Sequence, residues 1–401
     1  MKILFVSNGH GEDAIGAYLA KTMLELQPDL EVLAVPIVGR GNPYEQAGIR
    51  VLGPRWSPPS GGFTYTSFKH FMQDWRDGLQ QKTHEQHWAI RQARADAVMV
   101  VGDVYALWVT FSFAFKDTKP RVFQYQPLVS RYYQDGMNAS DKLERGSRVT
   151  VDSFVLPERF YMRRVEKVFT RDERSAAWLH ELGVPHAQFA GNIMMDLLTP
   201  ELELQGLLDG RPVLALLPGT RDDYLFSLPI MLQTAALLPK FQTFAAISTD
   251  LAKLELPTGW VWTTAKSVDN SIRVVQHTSG IQIPMLENGF AALLHDSSVV
   301  LGTSGTGNEQ AVGLGKPVIG FPTTGPQYLE GFAKAQKRLL GAGLMLEKPN
   351  SEDLARAVQT AHQDQNFREQ VRQAGLERMG LPGGAKRIAL EVLEALKTKK
   401  P

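Results

Sequence analysis

Short apolar runs alternate with segments of helical periodicity along most of the chain. The first run, KILFVS at residues 2–7, is followed by Asn8-Gly9-His10-Gly11 and then by a helical pattern that reaches Leu24. LEVLAVPIVG, ADAVMVVGDV, RVFQYQP and KVFTRD have the length and the polar or proline boundaries of buried strands. Because helical stretches separate these runs, the first half of the chain predicts a parallel sheet with crossover helices.

A second series of the same kind begins at RPVLALLPGTR, after a polar stretch at 199–210 that we interpret as a linker. Its further strands are FQTFAAIST, GIQIP, SVVLGTSG and KPVIGFP. The two series predict two Rossmann-like parallel-sheet α/β domains, residues 1–198 and 210–380, that face across a cleft. The amphipathic helix expected within 383–400 is predicted to return to the N-terminal domain.

Composition narrows the class of protein. A chain of 401 residues exceeds the size at which one core keeps growing, which agrees with two domains. A net charge of +1 gives no polyanion-binding signature, so nucleic acid is not an expected partner. The absence of Cys excludes disulfides, thiolate catalysis and Cys-ligated zinc. Without a signal-like or membrane-spanning apolar run, the expected location is cytoplasmic, with peripheral membrane contact left open.

Two loops of the second series have the form of an anion site, because ligands of parallel sheets bind beyond the carboxyl ends of the strands. In LLPGTRDD, Gly219 completes a turn, Thr220 offers a hydroxyl, and Arg221 carries a guanidinium suited to phosphate oxygens. The alternative is a tight surface turn in which Arg221 pairs with a neighbouring aspartate, Asp222 or Asp223. The first interpretation predicts a phosphate contact.

The second loop follows SVVL and consists of small residues. Its members lack bulk, so their backbone N–H groups can approach an anion, and the helix that follows adds its positive end. The predicted diphosphate-binding residues are Thr303, Ser304, Gly305, Thr306 and Gly307. One turn further, Glu309 or Gln310 could hold a ribose diol. The alternative is a glycine-rich strand-to-helix connection without a ligand.

These motifs resemble a known family. LPGTR followed by GTSGTGNEQAVGLGKP is similar to the nucleotide-sugar half of lipid-A-disaccharide synthase, whose pattern is L-P-G-S-R and then S-G-T, an acidic residue and P. SNGHGEDAIGAYL resembles that family's A-G-E-x-S-G-D-x-x-G-A-x-L, and AGNIMMD at 190–196 stands where the family has V-G-H-P-x-x-D. The resemblance covers most of the chain in the same order. It implies a cofactor-free GT-B glycosyltransferase that moves an acylated glucosamine from a UDP-sugar to a lipid-linked acceptor sugar.

One departure keeps other functions open. The family's acidic position falls on Gln310, whereas the carboxylate of this chain lies one place earlier at Glu309. In that respect GNEQAVGLGKP also looks like the G-G-x-x-E-E-A-x-x-L-G-K-P of UDP-N-acetylglucosamine 2-epimerases, which share the GT-B fold. A transferase, an epimerase and a non-catalytic nucleotide-sugar-binding protein therefore remain alternatives.

Candidates for the chemistry lie at the strand ends of the first domain. The chain has no D-x-D motif, so no metal site is expected, and Arg221 with the helix dipole would stabilise a leaving diphosphate. Asp103, directly after a strand, is the first candidate for a general base, although it could instead cap the next helix. His10 and Asp13 are its competitors.

Acceptor-side residues are predicted from the same edge and from the resemblance. Gly11 opens the first loop, and Tyr125 with Gln126 lies in a stretch similar to the family's Pro and aromatic segment. Separately, residues 55–78 place aromatic side chains beside cations, which suits the membrane interface that a lipid-linked acceptor needs. Packing of a loop and helix explains the same residues without a membrane.

Overall fold

The protein is described here by a computed structural model, which covers residues 1–9, 11–59, 68–113, 120–137, 153–219, 221–248, 251–264 and 273–398. The chain divides into two compact units. The N-terminal unit contains Met1–Leu197 and Leu381–Pro401, and the C-terminal unit contains Leu198–Gly380.

The N-terminal unit is built on a seven-stranded sheet in which all the paired strands are parallel. Its strands are β1 (Lys2–Ser7), β2 (Glu31–Pro36), β3 (Arg50–Val51), β4 (Ala97–Val101), β5 (Arg121–Gln126), β6 (Lys167–Thr170) and β7 (Ala187–Gln188). The order β3-β2-β1-β4-β5-β6-β7 reverses direction between β1 and β4. This switch point is where an open parallel sheet offers a ligand crevice.

Helices cover the N-terminal sheet. They are α1 (Gly11–Leu26), α2 (Asn42–Gln46), α3 (Phe68–Arg76), α4 (Leu79–Ala93), α5 (Val104–Phe113), α6 (Leu156–Met162) and α7 (Glu173–Glu181). Short 3-10 turns lie at Arg131–Gln134 and Ile193–Met195. The apolar runs of the sequence became strands because both faces of the sheet are covered, so that Ile3, Leu4, Phe5 and Val6 are all fully buried.

The C-terminal unit has an eight-stranded sheet of order β10-β11-β12-β9-β8-β13-β14-β15. Its strands are β8 (Val213–Leu217), β9 (Gln242–Ile247), β10 (Trp260–Thr264), β11 (Arg273–His277), β12 (Gln282–Glu287), β13 (Val299–Gly302), β14 (Val318–Gly320) and β15 (Leu344–Leu346). The strands from β12 to β15 in this order pair in parallel, whereas β10, β11 and β12 are antiparallel. The predicted two-domain parallel α/β architecture is confirmed, with an antiparallel edge that the sequence patterns did not indicate.

The helices of the C-terminal unit are α8 (Tyr224–Ala236), α9 (Phe290–Asp296), α10 (Thr306–Gly313), α11 (Glu330–Leu340), α12 (Ser351–Gln363) and α13 (Gln365–Arg378). Further 3-10 turns lie at Gln205–Leu207, Arg221–Asp223 and Gly341–Gly343. No helix within the described ranges is long and apolar enough to span a bilayer.

The last helix, α14 (Gly384–Lys397), belongs to the N-terminal unit and packs on α1. The Asp196 carboxylate accepts hydrogen bonds from the backbone N–H groups of Gly383 and Ala385, the latter at 2.7 Å, at the first turn of this helix. Gly191 and Gly384 bring their backbones into direct contact. The AGNIMMD motif therefore anchors the C-terminal helix.

The contact between the two glycines gives a stability prediction. A Cβ on Gly384 would lie 2.8 Å from the carbonyl carbon of Gly191, whereas a Cβ on Gly331, in the first turn of α11, meets nothing within 4 Å. We expect Gly384→Ala to lower the free energy of unfolding by about 1–3 kcal/mol through overpacking. Gly331→Ala, the matched control, should be neutral or slightly stabilising in the same urea titration. Equal effects of the two variants would contradict the backbone contact.

Candidate functional site

In the C-terminal unit, the two predicted anion loops lie side by side because β8 pairs with β13. The backbone N–H of Thr303 donates to Leu217 O at 2.9 Å. Gly219 has φ +83°, and a Cβ there would stand 3.2 Å from the carbonyl oxygen of Thr303. A glycine is needed at this turn both for its backbone conformation and for the close approach. Thr220 and the side chain of Arg221 lie outside the described residues.

The loop between β13 and α10 consists of small residues and is only partly exposed. Thr303 is buried, Ser304 and Gly305 are half-buried, and Thr306 at the helix start is exposed. The hydroxyl of Ser304 accepts a hydrogen bond of 3.2 Å from the N–H of Gly307. The small residues thus form a turn into a helix N-terminus, the geometry that suits an anion.

Two buried side-chain amides, those of Asn308 and Gln336, bond to the backbone carbonyls of this loop and to each other. The Asn308 amide nitrogen donates to Gly302 O at 3.1 Å and to Gln336 Oε1 at 2.9 Å. The Gln336 amide nitrogen donates to Ser304 O at 3.1 Å and to Gly305 O at 2.7 Å. These bonds fix the carbonyl groups of the loop and orient its peptides. Asn308 ends the run of small and polar residues that the sequence indicated, whereas no sequence pattern indicated Gln336 as part of the site.

A third loop, residues 321–329 after β14, joins the same edge of the sheet. Asp223 is 1% exposed, and its Oδ1 accepts from the N–H groups of Gln327 at 2.9 Å and Tyr328 at 3.1 Å. The Tyr328 hydroxyl donates to Gln336 Oε1 at 2.6 Å. Asp223 therefore organises the third loop, so this aspartate is committed to backbone groups rather than exposed beside Arg221.

Glu309 and Gln310, the predicted ribose ligands, follow on α10. Both side chains are buried, at 8% and 5% exposure, and both have partners within the protein. Their part in ribose binding stays a prediction.

In the N-terminal unit, Asp13 is held by a chain of hydroxyls. The Ser7 hydroxyl donates to Asp13 Oδ1 at 2.6 Å, and the buried Tyr44 hydroxyl donates to Ser7 Oγ at 3.0 Å. Gly16 leaves the room for this chain, since a Cβ there would clash with the Tyr44 hydroxyl oxygen. Burial raises the pKa of Asp13 to about 7, although the Ser7 bond opposes the rise.

Glu12 lies next to Asp13 at the start of α1, and part of its surface is accessible to solvent. Burial of its carboxyl raises the pKa of Glu12 to about 8, and the nearby carboxyl groups of Asp103 and Asp13 add to the rise. The sequence analysis did not place Glu12 among the candidate bases. An acidic pair directly after a strand and a glycine turn was the signal that could have placed it among the candidate bases.

Asp103 follows the end of β4 and lies beside Asn8, which follows the end of β1. Its Oδ1 accepts from the N–H of Tyr105 at 2.9 Å, so it caps α5, and the Asn8 side chain also bonds to it. The residue is 5% exposed, and burial raises its pKa despite these hydrogen bonds. The structure thus brings Glu12, Asp13 and Asp103 together at the switch point, as carboxyl groups that retain protons unusually well.

The predicted acceptor residues differ in accessibility. Gly11 is exposed, and a Cβ added there would meet nothing within 4 Å. Tyr125 and Gln126 are fully buried, and their polar atoms bond within the unit: the Tyr125 hydroxyl bonds to Asn192 and to Ile193 N, and Gln126 bonds to backbone and to a glutamate of α6. Neither presents a free group to a ligand. His10 lies outside the described residues.

A metal site requires several ligating side chains that converge on one point. No group of three His, Asp or Glu side chains within the described ranges is arranged to hold a metal ion. The expectation of a metal-independent site stays a prediction.

Comparison with known proteins defines the fold class. No protein-family model matches the chain, and no curated protein matches its sequence. Among solved structures, a complex of Staphylococcus aureus MnaA with UDP is 15% identical over 100% of this chain and 99% of its own, with a TM-score of 0.61. UDP-GlcNAc 2-epimerase from Neisseria meningitidis bound to UDP-GlcNAc is 15% identical over 98% of this chain and 100% of its own, with a TM-score of 0.56. The calicheamicin glycosyltransferase CalG4 is 17% identical over 98% of this chain and 97% of its own, with a TM-score of 0.60.

The fold is GT-B, with two Rossmann-like α/β domains of the kind found in CalG4 and in the epimerase structures. At these identities the likeness carries the architecture alone.

The amide network gives a prediction for the loop of the C-terminal unit. Gln336→Ala removes the donors to Ser304 O and Gly305 O, so we expect a loss of about 1–3 kcal/mol in unfolding free energy. Hydrogen exchange of the amides at 303–307 should accelerate at the same time. Gln373→Ala, at an exposed glutamine of α13 that bonds to Glu369, serves as the control and should change neither. Unchanged exchange in Gln336→Ala would contradict the network's role.

Proposed function

We propose that this chain is a UDP-sugar enzyme, and that it transfers an N-acylated glucosamine unit from UDP to a lipid-linked acceptor sugar. The observation that carries the proposal is the partly exposed turn of small residues at 304–306, held by buried amides at a helix N-terminus and adjoining the Gly219 turn. In a GT-B fold this arrangement suits a diphosphate. Structural relatives that bind UDP or UDP-GlcNAc support the same ligand class.

On the donor side, the C-terminal unit would hold the diphosphate. The N–H groups at Ser304 to Gly307 and the Arg221 guanidinium would stabilise the negative charge that forms when the bond between C1 of the sugar and the diphosphate oxygen breaks. The rigid loop would supply these dipoles without reorganisation. Glu309 or Gln310 would contact the ribose.

On the acceptor side, the N-terminal unit would supply the base. The acceptor hydroxyl would lose its proton to a carboxylate as its oxygen bonds to C1, and UDP would leave. Asp103, Asp13 and His10 are the proposed candidates, and Glu12 joins them because it is half-buried with a pKa near 8. The pKa values of about 7 for Asp13 and about 8 for Glu12 suit proton transfer at physiological pH.

A lipid-linked acceptor requires contact with a membrane surface. The segment proposed for this contact, 55–78, is partly outside the described residues, but exposed aromatic side chains continue on neighbouring helices. Trp75 on α3, Trp88 on α4, Trp108 on α5 and Phe160 on α6 are each at least 37% exposed, and these helices pack in succession. The Arg164 guanidinium lies 3.7 Å over the Phe160 ring. Aromatic rings with adjacent cations suit the headgroup region of the inner leaflet.

Epimerisation of a UDP-sugar is the second candidate. It is favoured by the cluster of Glu12, Asp13 and Asp103, because an epimerase needs several acid and base groups around the sugar. A non-catalytic nucleotide-sugar-binding protein is the third alternative.

One incubation separates the three functions. Purified protein is mixed with UDP-GlcNAc, with and without a membrane lipid extract, and UDP and the sugar are followed. A transferase releases UDP only when lipid is present, and Asp103→Asn should slow this release by about 100-fold or more if Asp103 is the base. Formation of an epimer without lipid would overturn the transferase proposal, and binding without turnover would leave the binding protein.

The diphosphate contact gives a separate prediction. Arg221→Ala should weaken UDP binding by about 10- to 100-fold, because a charge-assisted hydrogen bond to phosphate is lost. Isothermal titration calorimetry with UDP checks this. Arg211→Ala is the matched control in the same unit, since Arg211 pairs with Asp209 at the surface. Equal affinities of the two variants would contradict a role for Arg221.

Membrane contact is tested by flotation with vesicles that contain anionic phospholipid. Trp88→Asp and Phe160→Asp should each reduce the bound fraction several-fold, since they place a charge where an apolar ring would enter the interface. Val261→Asp in the C-terminal unit replaces a residue of similar exposure, 60% against 55% for Trp88, and should leave binding unchanged. Binding that is insensitive to all three substitutions would contradict this surface.

A further inference from the structure

A fully buried carboxyl group, Glu158, lies behind Asp103 in the N-terminal unit. It belongs to the first turn of α6 and has 0% exposure. Its side chain stands between the amides of Gln124 and Gln126, which are both fully buried on β5. Because the three side chains exchange hydrogen bonds away from water, the direction of each bond can be determined from the groups at the two ends.

At one end, backbone N–H groups fix the orientation of Gln126. Its Oε1 accepts from Leu128 N at 2.8 Å and from Val129 N at 3.3 Å. Its amide nitrogen therefore points the other way and donates to Glu158 Oε1 at 2.6 Å. Glu158 Oε1 is an acceptor in this bond.

At the other end, a carbonyl group fixes Gln124. Its amide nitrogen donates to Gly102 O at 2.9 Å, and its side chain also interacts with the Glu158 carboxyl group. Because the nitrogen is committed to Gly102, we infer that the Oε1 atom of Gln124 is the one that faces Glu158. Within the described part of the chain, Gln124 Oε1 and Glu158 Oε2 are both buried oxygens with no hydrogen-bond donor. Turning the Gln124 amide over does not help, because its oxygen would then face the Gly102 carbonyl. The chain of bonds lacks one proton in either orientation.

We infer that Glu158 is a neutral carboxylic acid, whose Oε2–H donates to Gln124 Oε1, and that it is a positioning residue for Asp103. A single proton satisfies both orphaned oxygens and completes a continuous path from Gly102 O to Leu128 N. Since Gly102 precedes Asp103, the path ties the end of β4 to the end of β5. A charged carboxylate at Glu158 would leave two buried acceptors facing each other.

The electrostatic surroundings agree with this assignment. Burial and, to a smaller extent, the Asp103 carboxyl at the start of α5 together raise the pKa of Glu158 to about 8, although hydrogen bonding to the Gln126 and Gln124 side chains opposes the rise. From β5 the group faces the amides of Gln124 and Gln126, and its own helix carries Arg159 and Tyr161. While Glu158 stays neutral, Asp103 has no second negative charge behind it and ionises more readily. The Asp103 part of this inference rests on the proposed function, whereas the proton on Glu158 does not.

Stability against pH tests the proton directly. The folded-state pKa is raised above the ordinary value of 4.5, so the folded protein binds one more proton than the unfolded chain between about pH 4.5 and 8. This contribution is fully present below that window and is lost as the pH rises through it. The Gln side chain of Glu158→Gln can accept from Gln126 and donate to Gln124, as the neutral acid does, but it cannot ionise. The ratio of the unfolding constants, wild type over variant, should therefore rise by up to tenfold per pH unit across the window.

Each outcome of the urea titrations decides the matter. A ratio that is constant or falls between pH 5 and 8 overturns the inference, and so does a Glu158→Gln protein that does not fold, because Gln reproduces the neutral acid's bonds. Glu158→Leu is a second variant of similar volume that cannot ionise. Its lost hydrogen bonds shift the ratio by a constant factor, but the same rise with pH is expected.

Activity is a second, separate readout for the positioning role. Below pH 7, Glu158→Gln should keep the wild-type kcat and KM in the UDP-sugar assay, and above pH 8 the two kcat profiles should diverge as wild-type Glu158 ionises beside Asp103. Profiles that stay parallel overturn the positioning role while the stability result stands. Absence of turnover in both proteins contradicts the proposed function and leaves the proton assignment to the stability data.

Discussion

The structure depends on how buried backbone groups at the carboxyl ends of parallel strands find hydrogen-bond partners. Where a strand becomes a loop, the sheet no longer supplies donors and acceptors, and an unpaired buried group is costly. Both units meet this need with carboxamide side chains. In the C-terminal unit Asn308 and Gln336 bond to the carbonyls of Gly302, Ser304 and Gly305. In the N-terminal unit Gln124 and Gln126 bond to backbone groups that follow β4 and β5. Rigid loops at the sheet edge follow from these bonds.

The same burial that requires amide partners also determines the charge state of the acids. Glu12, Asp13 and Asp103 are gathered at the β1–β4 switch point, where little water reaches them, so each holds its proton to a higher pH than a free carboxyl group. The loop of small residues after β13 in the other unit has a different character, because its peptides are fixed by buried amide side chains next to a helix N-terminus. Under the proposed function, the first unit would serve proton transfer and the second would bind the diphosphate.

Much of the fold and part of the candidate site could be predicted from sequence. Continuous apolar runs identify buried parallel strands, and a glycine-rich turn after such a run identifies the loop at 302–307, since both signals are local. The amide partners could not be predicted, because Gln336 lies 32 residues from the Ser304 carbonyl that it holds. Tyr125 and Gln126 were placed on the acceptor side by position in a motif, whereas strand alternation and the covering helices bury them. The antiparallel strands β10 and β11 were not predicted, and the residues between them, 265–272, lie outside the described ranges.

The docking of α14 on the N-terminal unit has a consequence for biosynthesis. Its anchor residues, Gly191 and Asp196, are made before the second unit, but the helix they receive is made after that unit. The second unit, continuous in sequence, can complete its folding while the first still waits with an uncovered side on α1. The order of completion is thus the reverse of the order of synthesis, and the nascent first unit is the species that most needs protection from aggregation.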